Sequence, residues 1–195
     1  MSNITAKENL QFIKEMIENT KKNTASQWKY FFLWGIAVIL GVVGMNILAF
    51  FKAYEYIGIN WITIMGLAVF IQFFIVREEI KNTGVKTFAQ NAIGYLSFSA
   101  GIGYMLLGFV FPLLKLYSYG IIPILIAVIT GILLFSFGGI LEWNYLKWSG
   151  LLWFLSSVIM VLVHWHFISL FFIPLIIQSY LIPAHILRKN YLNHD

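Results

Sequence analysis

The chain has 195 residues, of which 60% are hydrophobic and only 11% are charged. Soluble domains contain about 45–50% apolar and about 25% charged residues, and a domain of this size cannot bury so large an excess of apolar surface. The composition therefore excludes an ordinary water-soluble fold and predicts a protein whose main partner is the lipid bilayer. Cysteine is absent, which excludes a disulfide framework, a thiolate nucleophile and a cysteine metal site.

The polar N-terminal stretch predicts an amphipathic cytoplasmic helix and linker over residues 1–28. Thr5 and Glu8 have the spacing of a capping box, and apolar residues then recur at helical intervals to about residue 21. This helix either lies on the membrane surface or docks a membrane or cytoplasmic protein or a second copy of the chain. The residues of the predicted docking face are Leu10, Phe12, Ile13, Met16 and Ile17.

Six apolar stretches follow, and each approaches the roughly 20 residues needed to cross a bilayer. The last two come from one uncharged run that is too long for a single crossing, and we divide it around His164–His166. Because membrane-spanning segments must satisfy their own backbone groups, we predict an all-α bundle of six transmembrane helices, which three helical hairpins packed together would fit. This single membrane domain covers residues 29–190, before a tail at 191–195, and its predicted spans are 30–51, 56–76, 92–114, 117–141, 146–163 and 167–187.

The basic residues predict the orientation of these six spans. With both termini on one side, eleven of the 13 Lys and Arg residues lie on that side and only Lys52 and Lys115 on the other. Cytoplasmic segments carry such an excess, so we predict a multi-pass protein of the cell (inner or plasma) membrane with both termini in the cytoplasm. This distribution accounts for the net charge of +5 without nucleic acid, which would require a basic face on a soluble domain.

Polar residues within the spans are amides and hydroxyls, because the deep parts of the spans contain no Asp, Glu, Lys or Arg. The only aspartate is Asp195, which excludes an aspartyl intramembrane protease, and no buried carboxylate is present for proton coupling. Asn46, Gln72 and Gln178 are the most polar candidates. Such amides usually form hydrogen bonds between helices. The alternative is that these three line a central cavity that binds a neutral or apolar solute.

Histidines provide the weaker candidate sites. His164 and His166, two residues apart at a predicted turn, could both reach a zinc or copper ion, but their amphipathic rings favour an interfacial turn with no metal. His185 could pair with Glu79 or Glu142, or it could serve as a cation at the end of a helix. We predict no cofactor.

Three functional hypotheses follow from these features. The first is a non-enzymatic binding, regulatory or assembly module of the membrane, with the N-terminal helix as its contact to a partner. The second is a small uncoupled transporter or channel for a neutral or apolar solute, lined by the three amides. The third is an enzyme or metal protein that uses the histidines.

Overall fold

A computed structural model of the chain describes residues 27–82, 88–163 and 165–192. The described residues form an all-helical fold without strands, and six of the helices are long and apolar enough to cross a membrane. The all-helical prediction and the predicted number of membrane-length helices are therefore confirmed. The predicted N-terminal helix lies outside the described residues, and so do its docking residues Leu10, Phe12, Ile13, Met16 and Ile17.

Six continuous helical stretches make up the described fold, and we number them α1 to α6. Two of them, α3 and α6, each contain a short π-helical segment in which the backbone hydrogen bonds pair residues five apart. The bounds of the four helices without a π segment are Trp28–Phe50 for α1, Ile57–Asn82 for α2, Ile122–Ile140 for α4 and Asn144–Leu162 for α5. Helix α3 consists of Phe88–Met105, the π segment Leu106–Val110 and Phe111–Leu113, and α6 consists of Trp165–Ile176, the π segment Ile177–Leu181 and Ile182–Leu192. Short 3-10 turns at Tyr54–Tyr56 and Tyr119–Ile121 precede α2 and α4.

Two helices extend further than the sequence predicted. The second predicted span stops at residue 76, whereas α2 continues through the charged segment to Asn82. That segment has no Gly or Pro, and its Glu, Lys and Arg residues favour a helix. For the same reason α6 continues past residue 187, where the sixth predicted span ends, to Leu192. Helices of this protein therefore continue past the apolar segments that define the spans.

The helices form a bundle whose core lies among α1, α4, α5 and α6. Helix α1 packs against α2 on one side and α6 on the other, while α4 packs against α3 and α5. The buried core contains Phe31 of α1, Leu134 of α4, Trp153 of α5 and Leu175 of α6. Helices α2 and α3 lie at the periphery, since only 6% of the most apolar window of each is buried, against 39% in α5 and in α6.

The closest helix contact joins α4 to α5, and glycine makes it possible. A Cβ atom on Gly150 would lie 2.6 Å from the backbone nitrogen of Phe135 and 2.8 Å from the carbonyl oxygen of Gly131. At Gly138 it would lie 2.5 Å from the backbone nitrogen of Lys147. The three-hairpin arrangement assigns α4 and α5 to different hairpins, so the most extensive packing in the described bundle crosses the predicted division.

Apolar side chains remain exposed along α2 and α3. Ile62 and Phe70 of α2 are each 61% exposed, and Phe98 of α3 is 72% exposed. Large contiguous apolar surfaces are rare on soluble monomers, whereas hydrocarbon covers them at no cost. These faces are those that a bilayer would contact.

Three helices end in the same turn, with a residue other than glycine in the left-handed conformation. Lys52, Lys115 and Glu142 have φ angles of 58°, 57° and 51° after α1, α3 and α4. At Lys52, the amide of the next residue donates to the carbonyl of Leu48, which is the hydrogen bond that defines a Schellman motif. Glycine is the usual residue there, because a side chain in this conformation costs about 1–2 kcal/mol.

Candidate functional site: a polar core around α6

The π-helical segment Ile177–Leu181 directs three consecutive polar side chains to two neighbouring helices. Gln178 and Ser179 contact α5, while the ring of Tyr180 packs on Phe31 of α1 with ring centroids 5.8 Å apart. The wider turn of a π-helix alters the direction of successive side chains relative to an α-helix, and such turns often occur at functional sites. This segment is therefore the candidate functional site of the described bundle.

The contact between α5 and α6 is a connected network of hydrogen bonds. The Gln178 amide donates to Ser149 Oγ at 2.9 Å, and the Ser179 hydroxyl donates to Gln178 Oε1 at 2.9 Å. Trp153 Nε1 donates to Ser179 Oγ at 2.8 Å, and Ser149 donates to the carbonyl of Tyr145 at 2.9 Å. Ser149, Trp153 and Ser179 are completely buried. Buried polar groups are costly unless paired, and here each side chain meets another.

Proline explains why a tyrosine closes this network. Pro183 has no N–H, so in π-helical pairing the carbonyl five residues earlier, that of Gln178, lacks its helical donor. The Tyr145 hydroxyl donates to that carbonyl at 2.8 Å. In α3 the same relation links Pro112 to the carbonyl of Leu107, which accepts a hydrogen bond from the Tyr117 hydroxyl. Both proline-freed carbonyls are thus satisfied by tyrosine, as an apolar environment requires.

A second group of hydroxyls connects α3, α4 and α6. Tyr104 Oη and Thr130 Oγ1 lie 2.9 Å apart, and Thr130 also donates to the carbonyl of Ile126 at 2.8 Å. The Tyr104 hydroxyl also forms a hydrogen bond with Tyr180. Tyr104 of α3 therefore contacts both Thr130 of α4 and Tyr180 of α6.

The α1–α2 pair is fixed by polar contacts of its own. Trp34 Nε1 donates to Gln72 Oε1 at 2.7 Å, and the Tyr30 hydroxyl donates to Glu79 Oε2 at 2.6 Å. At the other end, Asn60 Nδ2 donates to the carbonyl of Gly41 at 3.0 Å. These contacts set the register of the antiparallel pair.

The three amides predicted from sequence lie in three separate contacts. Asn46 donates to the carbonyl of Val42 in its own helix at 2.7 Å. Gln72 joins α2 to α1, and Gln178 joins α6 to α5. The hydrogen bonds described above do not bring these amides together. Sequence patterns did not indicate the aromatic partners Tyr104, Tyr145, Trp153 and Tyr180. The one available signal was Pro183, five residues after Gln178, because it frees the carbonyl to which Tyr145 donates.

The histidine candidates contribute little to this site. His164 and the side chain of His166 lie outside the described residues. His185 is exposed, while Glu79 accepts a hydrogen bond from Tyr30. Within the described part of the chain, no group of three or more His, Asp or Glu side chains is placed to bind a metal ion.

The polar core consists of hydroxyl, amide and indole groups, which are neutral at pH 7. Its chemistry is hydrogen bonding between helices. Comparisons of the chain with protein-family models, curated proteins and solved structures found no match.

Proposed function

We propose that the protein is a non-catalytic integral membrane module that acts by binding a partner. The observation that carries this proposal is the engagement of interior polar side chains with one another, as in the contacts of Gln178 with Ser149 and of Gln72 with Trp34. Groups used in this way stabilise a particular helix arrangement. The amphipathic N-terminal helix would then provide the contact with a membrane or cytoplasmic protein.

The proposed topology has six crossings with both termini in the cytoplasm. Support comes from the contact between Trp28 and Arg188, because it puts the beginning of α1 and the last turns of α6 at the same end of the bundle. The absence of cysteine permits a direct test. Single cysteines introduced at Ser2 and Asn193 should be labelled by an impermeant maleimide only after the membrane is opened. Labelling of one terminus in intact cells would contradict this topology.

The binding role predicts a partner that depends on the N-terminal helix. Cross-linking in native membranes should give a defined adduct that Ile13→Asp and Ile17→Asp abolish, because a charge on the apolar face removes the docking surface. Lys14→Gln, which alters the polar face, should leave the adduct unchanged. The variants must retain wild-type helicity and elution volume. An adduct unaffected by either aspartate would overturn the proposed role of this helix.

A transport role is distinguished by flux measurements. If the interior amides act only between helices, proteoliposomes should swell no faster in glycerol or urea than protein-free vesicles. Swelling that depends on the protein and falls in Gln72→Leu and Gln178→Leu would replace the proposal with the transporter hypothesis.

A further inference from the structure

The contact between the ends of α1 and α6 contains a cation stacked on an aromatic ring. The guanidinium carbon of Arg188 lies 5.2 Å from the centroid of the Trp28 ring. Arg188 itself is exposed, but the preceding Leu187 is buried and Ala184, one turn earlier, is also buried, so the end of α6 is anchored against the bundle. This geometry orients the guanidinium plane, because an arginine favours stacking on an indole face.

Among the described residues, this contact combines positive charge with hydrogen-bond donors and contains no carboxylate. In the described part of the chain, Arg188 forms no ion pair with a carboxylate, and Trp28 Nε1 is buried without a hydrogen-bond acceptor. Two further cations, Lys29 and Lys189, adjoin these residues in the sequence. The Arg188 guanidinium is exposed, so its donors are the ones that an incoming acceptor can reach, whereas Trp28 Nε1 is buried.

The apolar surface beside these donors is continuous with the outside of the bundle. Phe32, one turn into α1, is 50% exposed and packs edge-to-face on Trp28 with ring centroids 6.4 Å apart. Trp28 begins an apolar helix, which is where tryptophan and basic residues meet the headgroup region of a bilayer. A ligand bound here would contact cationic donors and an apolar wall at once.

We propose that Trp28 and Arg188 form a binding site for the phosphate headgroup of an anionic phospholipid. The planar guanidinium can donate two parallel hydrogen bonds to phosphate oxygens, as it does to phosphates in general. The acyl chains would lie along Phe32, which favours a lipid over free phosphate. The site goes beyond the proposed binding of a protein partner and does not depend on it.

Native mass spectrometry of the purified full-length protein tests this site. Phosphatidylglycerol should bind at least fivefold more tightly than phosphatidylcholine, and Arg188→Gln should weaken phosphatidylglycerol binding about fivefold, because one basic residue near an anionic surface contributes about 1 kcal/mol. Arg188→Lys keeps the charge without the planar fork and should give an intermediate loss. Helicity and elution volume establish that each variant is folded.

Arg77→Gln is the matched control. Arg77 is exposed near the same end of the bundle, because Tyr30 of α1 bonds Glu79 of α2, and it has the same charge as Arg188. Its substitution should change phosphatidylglycerol binding less than twofold. Equal losses in the two variants, or no loss in Arg188→Gln, would overturn the proposal, as would displacement of the lipid by millimolar inorganic phosphate.

Discussion

The two faces of α5 are held to their neighbours in opposite ways. Against α4, Gly150 brings the backbones so close that a single methyl group would overlap the chain at Phe135. Against α6, Trp153 and Ser149 form side-chain hydrogen bonds to Ser179 and Gln178. The first face depends on the absence of side-chain volume, and the second depends on the pairing of polar atoms. One helix therefore uses both of the devices that drive association in lipid, where apolar side chains alone give no preference for protein.

The two devices should differ in tolerance to change. A backbone contact cannot yield without moving a whole helix, whereas a hydrogen-bonded side chain can find a new rotamer or another partner. Double-mutant cycles in membrane proteins accordingly give modest energies for single interhelical hydrogen bonds, about 0.6 kcal/mol on average. We therefore expect substitutions at the α4–α5 contact to cost more than those at the α5–α6 contact.

The largest effect is expected for Gly150→Ala. The new methyl group would meet backbone atoms of α4 at 2.6 and 2.8 Å, and we expect a loss of about 3 kcal/mol in the free energy of unfolding. Titration with sodium dodecyl sulfate in mixed micelles measures this quantity. The control is Gly139→Ala in α4, where nothing lies within 4 Å of the added carbon, so stability should change by less than about 0.5 kcal/mol. Equal effects at the two positions would refute the close contact.

Gln178→Leu comes next. It removes the amide that bonds Ser149 and Ser179, and we expect about 2 kcal/mol of destabilisation because two buried hydroxyls lose a partner. The same titration gives the value. Ser99→Ala is the control, since Ser99 is exposed and bonds only the carbonyl of Leu96 in its own helix. A loss in Gln178→Leu as large as that in Gly150→Ala would remove the proposed difference between the two faces.

Trp153→Phe should cost about 1.5 kcal/mol. The substitution removes the indole donor to Ser179 and leaves a small void beside Phe172, whose ring centroid lies 5.5 Å from that of Trp153. Thermal unfolding monitored by circular dichroism would detect the change. Trp148→Phe, at a position 70% exposed in the same helix, should have no measurable effect. A neutral result at both positions would argue against a buried Trp153.

The smallest effect is expected for Tyr145→Phe, at about 1 kcal/mol. Loss of the hydroxyl leaves the carbonyl of Gln178 without its donor in the π-helical segment. Hydrogen–deuterium exchange should then rise in Ile177–Leu181 more than elsewhere in α6. Tyr95→Phe, at a residue 77% exposed on α3, should leave exchange unchanged in Ile177–Leu181 and in the rest of α6. An increase spread evenly over the whole bundle would show that Tyr145 does not act on this segment.

The sequence predicted the number and nature of the helices because apolar length and excluded charge are properties of local segments. It also indicated that Gln72 and Gln178 form hydrogen bonds between helices, because an amide in hydrocarbon needs a partner, and both do so. The identity of the partners was not predictable. The sequence around a tryptophan such as Trp153 does not show whether its ring lies in the headgroup region or in the core of the bundle. Only the packing of the helices distinguishes these two positions.

The relative extent of packing between successive helices was not predictable for a related reason. Sequence proximity predicts that helices joined by a short turn pack together, but it does not show which successive pair packs most extensively. Likewise, nothing in the sequence shows that Gly131 and Gly150 lie at one contact between α4 and α5. The π-helical segments were equally hidden, because a proline disturbs a helix without specifying that a distant tyrosine satisfies the carbonyl it frees, as Tyr117 and Tyr145 do.

The left-handed turns after α1 and α3 bear on how the chain would be oriented during insertion. Lys52 and Lys115 occupy positions where glycine is conformationally easier, and they are also the two basic residues assigned to the outer surface. Glycine at both sites would relax the backbone while removing every cation from that surface. If the proposed topology holds, stability and the charge imbalance that guides insertion would then increase together.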